Sequence, residues 1–300
     1  MKNILIAGGT GLIGQQLGRL LPEQGYSVRL LTRTPRSPGE YLWNPASGTL
    51  DPAALEGVDA IINLAGAGIA DKRWTVARKK ELIESRVQSA LVLAKYLAEA
   101  KKRPEVYISA SAVGFYGNSG EAEMQETDAP ADDSFMVQCC SAWENAADQV
   151  AALGIRIVKF RIGIVLAKEG GALREVIKPL YFGLGAYFGD GRAWWPWVHR
   201  DDVCRAFVHA FERVEMSGVY NLVAPHPVRG KALVQSTARA MRRPAVYLPA
   251  PAFVLRLLLG EMSAVVLNSN RVSAQKLLDT DFVFRFPQLD PALHAIFARP

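Results

Sequence analysis

The 300-residue chain is half hydrophobic and 21% charged, an ordinary globular composition with room for a doubly wound domain and a smaller second lobe. Its net charge of +6 is spread over short groups: Arg33 with Arg36, Lys72 to Lys80, Lys101 to Arg103, and Arg242 with Arg243. No helix carries a basic face interleaved with aromatics, which argues against a nucleic-acid partner, and a mild basic excess suits a binder of anionic cofactors. The three cysteines, Cys139, Cys140 and Cys204, offer neither a disulfide framework nor metal-ligand spacing, so no metal is expected. The first apolar run is interrupted at once by glycines and is too short for a signal peptide. Ala250 to Leu259 contains Pro251 and Arg256 and is too short to span a bilayer. The expectation is a cytoplasmic protein without a membrane partner.

Asn3 to Ala7 reads as a short buried strand, Leu12 to Gln24 as a helix and Ser27 to Thr32 as a second strand. Tyr41 to Leu50 looks like a small hairpin around Pro45 and Gly48, and Asp59 to Leu64 is another apolar strand. A long charged helix follows from about Thr75 to Ala100, with Val87, Leu91 and Ala94 on one side. Val106 to Ala110 is a strand, Ser134 to Leu153 a helix, and Ile155 to Phe160 a strand. This alternation predicts an α/β fold: a Rossmann-type doubly wound parallel sheet with helices on both faces. Beyond about Arg161 glycine, proline and aromatics cluster, from Gly170 to Trp197. Helices are then expected near Asp201 to Phe211 and Lys231 to Met241, and a strand at Tyr220 to Val223. Residues 1–165 are assigned to a dinucleotide-binding domain, with segments near 198–223 returning to it, and residues 166–300 mainly to a substrate-binding lobe.

The first turn reads Gly8-Gly9-Thr10-Gly11-Leu12-Ile13-Gly14 and lies between a strand and a helix. There a glycine-rich turn brings backbone N–H groups to a pyrophosphate at the helix N-terminus. Gly8 permits the tight turn, Gly11 the approach of the phosphates, and Gly14 the packing of helix on strand. An acidic residue ending the second strand would bind the ribose 2′-hydroxyl. Here the strand ends Leu31-Thr32-Arg33-Thr34, and the first acidic residue is Glu40. A guanidinium at Arg33 matches a 2′-phosphate, so the expected cofactor is NADP(H). The rival reading makes Arg33 a solvated surface charge.

Three further patches carry a resemblance: Asn63-Leu64-Ala65-Gly66; Ser109-Ala110-Ser111 ahead of Phe115-Tyr116-Gly117; and Trp197-Val198-His199-Arg200-Asp201-Asp202-Val203. With the glycine turn, and in this order over most of the chain, they resemble the extended, epimerase-like branch of the short-chain dehydrogenase/reductase superfamily. Lys72-Arg73-Trp74, Ser85-Arg86, Cys140 with Trp143-Glu144, and the ending around Phe282 to Leu293 are similar to an atypical subgroup, the nucleoside-diphosphate-sugar epimerase family proteins. The resemblance implies that Leu64, Ala65 and Gly66 join the cofactor site, and that a small C-terminal domain of unknown function begins at about 250.

The superfamily's catalysis rests on Ser, Tyr and Lys, with Tyr and Lys one helical turn apart, and an Asn often assisting. The Tyr-x-x-x-Lys pattern is absent after Ser111: Tyr116 is followed four residues later by Gly120. Aligned on Glu144, Cys140 stands at the Lys position and Met136 at the Tyr position; Ser111 matches the Ser, and Arg86 stands where the Asn would be. The candidate catalytic set is Ser111, Cys140 and Arg86. Cys140 is expected to have a lowered pKa from Arg86 and the nicotinamide, and to be accessible from the cleft; the alternative is a buried, inert thiol. Tyr116 is an outside candidate for proton donor, and His199 for base. Arg86 lines the site or makes a helix-face ion pair.

The resemblance also places the aromatic run Trp194-Trp195-Pro196-Trp197, with His199, near the substrate cleft, just before a helix capped by Asp201 or Asp202. Arg161, Arg174, Lys178 and Arg192 would add positive charge for a small anionic or aromatic substrate. The same residues could instead pack the lobes together. The expected function is an NADP(H)-binding oxidoreductase or epimerase-like enzyme with a divergent site, with a homodimer left open. The alternative is a non-catalytic dinucleotide-binding regulatory or scaffold protein. Nucleotide-sugar epimerisation is a weaker reading, since it normally needs the missing Tyr/Lys pair.

Overall fold

The computed structural model describes residues 2–298. The chain opens with β1 (Asn3–Ala7), α1 (Leu12–Glu23), β2 (Ser27–Thr32), β3 (Glu40–Asn44), β4 (Thr49–Leu50), β5 (Ala60–Asn63), α2 (Val76–Glu99) and β6 (Val106–Ala112). There follow β7 (Glu123–Met124), α3 (Phe135–Ala151), β8 (Arg156–Ile162), β9 (Ile164–Leu166), α4 (Gly171–Leu180), β10 (Leu184–Phe188), β11 (Trp194–Trp195), β12 (Trp197–His199) and α5 (Arg200–Glu212). The remainder is β13 (Gly218–Leu222), β14 (Val228–Arg229), α6 (Gly230–Ala240), β15 (Val246–Ala250), α7 (Ala252–Leu259), α8 (Ala264–Leu267), β16 (Arg271–Val272), α9 (Gln275–Leu278) and α10 (Leu289–Phe297).

The main sheet has the order β13-β8-β6-β5-β1-β2-β3-β4. β1 pairs in parallel with β2 on one side and β5 on the other, so that Ile4 faces Val28 and Ala60. β2–β3 and β5–β6 are also parallel, and the β3–β4 hairpin alone turns back on itself among the paired strands of this edge. Ile4, Leu5, Ile6 and Ala7 are all buried, as a parallel strand covered on both faces demands. The strand order reverses between β1 and β5, and ligands of such sheets sit outside the carboxyl ends at that reversal.

The long helix α2 starts at Thr75, whose Oγ1 accepts the Arg78 N–H at 3.1 Å. Its buried face carries Leu82, Ser89, Leu93 and Leu97, whereas Leu91, read on one side with Val87 and Ala94, is exposed. Helical periodicity alone fits both stripes. Ser89 can face the core because its hydroxyl is satisfied: it donates to the Arg86 carbonyl at 2.7 Å and accepts from Asn63 Nδ2 at 3.1 Å.

The chain forms two compact units, residues 2–112, 138–161 and 204–220, and residues 113–137, 162–203 and 221–298. The first has a core built from Leu5, Leu31, Trp43, Ile61, Leu93, Tyr107 and Val150, among others. In the second, Leu173, Ile177, Trp195, Trp197, Leu233 and Leu293 form the core, and β10 pairs in parallel with β15. There Asp202 does not cap its helix. Its carboxylate accepts the Arg285 and Phe286 N–H groups at 2.7 and 2.9 Å and so ties down the chain ahead of α10. Because α5 begins at Arg200, Asp201 lies inside its first turn, and the Asp201 N–H donates to His199 Nδ1 at 3.1 Å. No helix among the described residues is long and apolar enough to cross a membrane.

Candidate functional site

The glycine turn follows β1 at the sheet's reversal point. Gly8 has φ 85°, and a Cβ there would stand 2.8 Å from the Leu64 carbonyl group, so this position demands glycine twice over. A Cβ on Gly14 would collide with the Gly8 carbonyl and the Gly9 backbone, which fixes how closely α1 packs on the turn. Gly11 is different. A Cβ there would meet only the Gly8 oxygen, at 3.4 Å, so the protein itself leaves that space open. The Gly11 N–H closes the turn onto Gly8 O at 3.1 Å, and α1 begins without a side-chain cap or an acidic residue in its first turn. The N–H groups of Leu12 and Ile13 are therefore available to an anion, and the turn fits a pyrophosphate. Thr10, exposed, is held by Gln15 Nε2 on its carbonyl at 2.8 Å.

The loop after β5 lies against this turn. Asn63 is fully buried and sets its shape: Nδ2 reaches the Tyr107 hydroxyl at 2.7 Å, and Oδ1 accepts the Ala65 N–H at 3.0 Å. Leu64 continues the sheet pattern by donating to Ala7 O at 2.9 Å, and the Ala67 N–H donates to Ser85 Oγ at 3.0 Å. At the end of β2, Arg33 is exposed. Glu40 does not approach as a ribose ligand; it accepts the Arg36 N–H at 2.7 Å and closes the loop between β2 and β3.

Ser111 ends β6 on the same edge of the sheet. It is 3% exposed, and its Oγ donates to Glu144 Oε1 at 2.7 Å. Arg161, from β8, holds that carboxylate through Nε on Oε1 at 2.9 Å and Nη2 on Oε2 at 3.0 Å. A carboxylate clamped in this way is acceptor-only, so the Ser111 proton is committed to it and the hydroxyl presents lone pairs to any further partner. Arg161 was expected to offer charge to a substrate; Glu144 takes up that charge instead. Lys178 is likewise paired, with Glu175 at 2.6 Å.

Two expectations about Cys140 are corrected. It is 2% exposed, not accessible, and burial pushes its thiol well above the ordinary range, outweighing the nearby Arg86. Cys139 is buried and shifted upward for the same reason. Met136 lies one turn before Cys140 on α3, as the resemblance implied. Arg86 makes no helix-face ion pair: Nη1 bonds the Leu82 carbonyl at 2.8 Å and Nη2 the Ala67 carbonyl at 3.0 Å.

In the second unit, Tyr116 is fully buried with its hydroxyl on Asn221 Oδ1 at 2.7 Å. The His199 ring packs at a tilt against Phe286, centroids 4.1 Å apart, and burial lowers its pKa. The aromatic run is divided: Trp195 and Trp197 belong to the core, while Trp194 donates to Glu121 at 2.9 Å beneath the Arg229 guanidinium at 3.7 Å. Among the described residues no cluster of three or more His, Cys, Asp or Glu could hold a metal ion.

Sequence reasoning missed the Glu144–Arg161 pair. Glu144 was visible as the acid one turn beyond Cys140, and Arg161 as a charge inside an apolar strand, a pattern that asks for a buried partner.

Residues 4–222 match the NAD dependent epimerase/dehydratase family, and residues 250–296 match DUF1731, a domain of unknown function. The epimerase family protein YfhF of Bacillus subtilis is 35% identical, over 99% of this chain and 98% of that protein. A Mycobacterium leprae epimerase family protein, ML0860, is 36% identical over 99% and 96%. Among solved structures, human epimerase family protein SDR39U1 with NADPH superposes with a TM-score of 0.88 at 32% identity, covering 98% of this chain and 99% of that one. A nucleoside-diphosphate sugar epimerase from Corynebacterium glutamicum gives 0.80 at 29%, covering 98% of this chain and 58% of that one. The chain therefore belongs to the NAD dependent epimerase/dehydratase family, a dinucleotide-binding, epimerase-like protein with a nicotinamide dinucleotide as its class of cofactor.

Proposed function

We propose that the protein is an NADP(H)-dependent oxidoreductase or epimerase-like enzyme in which Ser111, backed by Glu144 and Arg161, handles the proton that a Tyr-x-x-x-Lys pair would otherwise move. The observation that carries this reading is the 2.7 Å hydrogen bond from Ser111 Oγ to Glu144 at the carboxyl end of β6. The nicotinamide, when bound, supplies the site that accepts or donates the hydride. Gly8 to Gly14 hold its pyrophosphate on the α1 N-terminus, with the backbone N–H groups of Leu12 and Ile13 as donors. Leu64, Ala65 and Gly66 form the adjoining wall. Ser111 accepts the hydrogen bond of a substrate hydroxyl. As that oxygen loses its proton to Ser111 Oγ, the Ser111 proton passes to Glu144, and the reverse direction returns both. Arg161 keeps the carboxylate oriented throughout.

NADP(H) rather than NAD(H) is favoured by the exposed Arg33 at the end of β2 and by the absence of a free carboxylate there. The human relative's structure, which contains NADPH, supports the same choice. A second reading, a dinucleotide binder without catalysis, is favoured by the buried, protonated Cys140 and by Met136.

Fluorescence titration tests the cofactor. NADPH is expected to bind more tightly than NADH, and Arg33→Asp to remove that preference at a cost of about 1.5–3 kcal/mol, the worth of hydrogen bonds to a charged group. Equal affinities in the unmodified protein would refute the 2′-phosphate contact.

A further inference from the structure

Buried charges in the first unit come with partners: Glu144 has Arg161 at 2.9 Å, Lys159 has Asp148 at 2.7 Å, and Arg78 has Glu81 at 2.7 Å. Half-buried Arg156 instead bonds four main-chain oxygens, and Arg86 likewise lacks a carboxylate. It is half-buried, it bonds only the main-chain oxygens of Leu82 and Ala67, and no carboxylate pairs with it among the described residues. The charges that reach it are the like-signed Arg78 and two thiols, Cys139 and Cys140, which burial keeps protonated. A guanidinium has five N–H donors, so three are left over.

Its Cζ lies 4.9 Å over the ring of Trp143. That indole is 7% exposed, and its Nε1 is buried without an acceptor. A cation without a carboxylate partner and an unsatisfied donor therefore meet at one ring. Each is unfavourable alone, and one ligand bringing negative charge and acceptor oxygens satisfies both. The pair also adjoins the loop leaving β5. A Cβ on Gly66 would come within 3.1 and 3.2 Å of Arg86 Cγ and Cζ, so the glycine lets the guanidinium lie flat against the loop leaving β5. On α3, Trp143 is the residue immediately before Glu144, the partner of Ser111.

We propose that Arg86 and the indole N–H of Trp143 form an oxyanion subsite that receives a carboxylate of the substrate. The substrate is then a carboxylate-bearing hydroxy or oxo compound, with its carboxylate on Arg86 and its reacting oxygen on Ser111. This rests on the reading of Ser111 as the reacting centre. A phosphate of the cofactor offers the same oxyanion chemistry, and the experiment separates the two sources.

Formate, lactate and benzoate, each against its neutral amide, are titrated into the NADPH-loaded protein, with tryptophan fluorescence and melting temperature as readouts. At least one carboxylate is expected to bind and its amide not to. Arg86→Gln should weaken that carboxylate tenfold or more while changing NADPH affinity less than twofold. Trp143→Phe keeps an aromatic face toward Arg86 but removes the indole N–H together with the pyrrole ring, so its melting temperature is expected to fall. It should weaken the carboxylate several-fold while changing NADPH affinity less than twofold, and it carries the test if Arg86→Gln does not fold. Binding of none of the three carboxylates, or equal binding of the amides, overturns the proposal. A loss of NADPH affinity matching the loss of carboxylate in either variant assigns the subsite to the cofactor and also overturns it. Failure of NADPH to bind the unmodified protein would instead overturn the proposed function.

Discussion

The glycine turn after β1 and the Ser111 centre at the end of β6 stand on the same edge of one sheet but are built from different materials. The turn is backbone throughout: a positive φ at Gly8, a packing contact at Gly14, and an open position at Gly11. The Ser111 centre is side chain throughout, a serine, a glutamate and an arginine from β6, α3 and β8, joined at 2.7 to 3.0 Å. A site made of main-chain N–H groups tolerates any nearby side chain that does not fill it. A site made of buried charge fails as soon as one member is lost. The two regions should therefore respond differently to substitution.

The largest effect belongs to the charged centre. Glu144→Ala leaves Arg161, 4% exposed, without its carboxylate, and breaking a buried pair in this way costs about 3–5 kcal/mol. Urea denaturation measures it; a loss under 1 kcal/mol would mean that the pair is solvated and that the contrast with the turn is false.

The turn itself gives the next largest effect and the sharper internal control. Gly14→Ala overpacks α1 against the turn and should cost about 1–3 kcal/mol of stability. Gly11→Ala meets only ordinary contact, so folding should be nearly unchanged while NADPH affinity falls at least tenfold. If Gly11→Ala binds NADPH normally, the open space at Gly11 does not hold the pyrophosphate.

That difference in materials also governs what could be read from sequence. β1, α1, β2 and the glycine turn depend on neighbours in sequence, and each was legible to within a residue or so. The Ser111–Glu144 bond spans 33 positions, and nothing local ties the two together. Cys140 beside a predicted Arg86 suggested an acidic thiol, because sequence shows the charge and not the burial that outweighs it. Arg86 lies over the ring of Trp143 on α3, but its lack of an ion pair is visible only once every neighbour is in position. In the second unit the stretch from Gly170 to Trp197 was read only as a cluster of glycine, proline and aromatics, and α4 was not assigned. Yet Leu173, Val176, Ile177 and Leu180 follow the helical spacing and are all buried, so there the signal was present in the sequence.

The smallest expected effect is one of pH, and it extends the comparison to the second unit. Burial holds the folded pKa of His199 below its ordinary 6.5. The neutral ring is thus favoured by folding, and its contribution is intact above pH 6.5 and lost as the pH falls through the lowered value. Denaturation between pH 7.5 and 5.5 should show stability falling on acidification, with a shallower slope in His199→Gln. Stability that rises on acidification would contradict this.

The proposed proton transfer requires the nicotinamide to meet Ser111. A crystal structure of the protein with NADPH tests that most directly. It should show the pyrophosphate on the Leu12 and Ile13 N–H groups, the 2′-phosphate at Arg33, and the nicotinamide ring facing Ser111 Oγ with the bond to Glu144 intact. A nicotinamide turned away from β6, or screened from Ser111 by protein atoms, would contradict the account and leave the chain a dinucleotide binder with its proton relay disconnected.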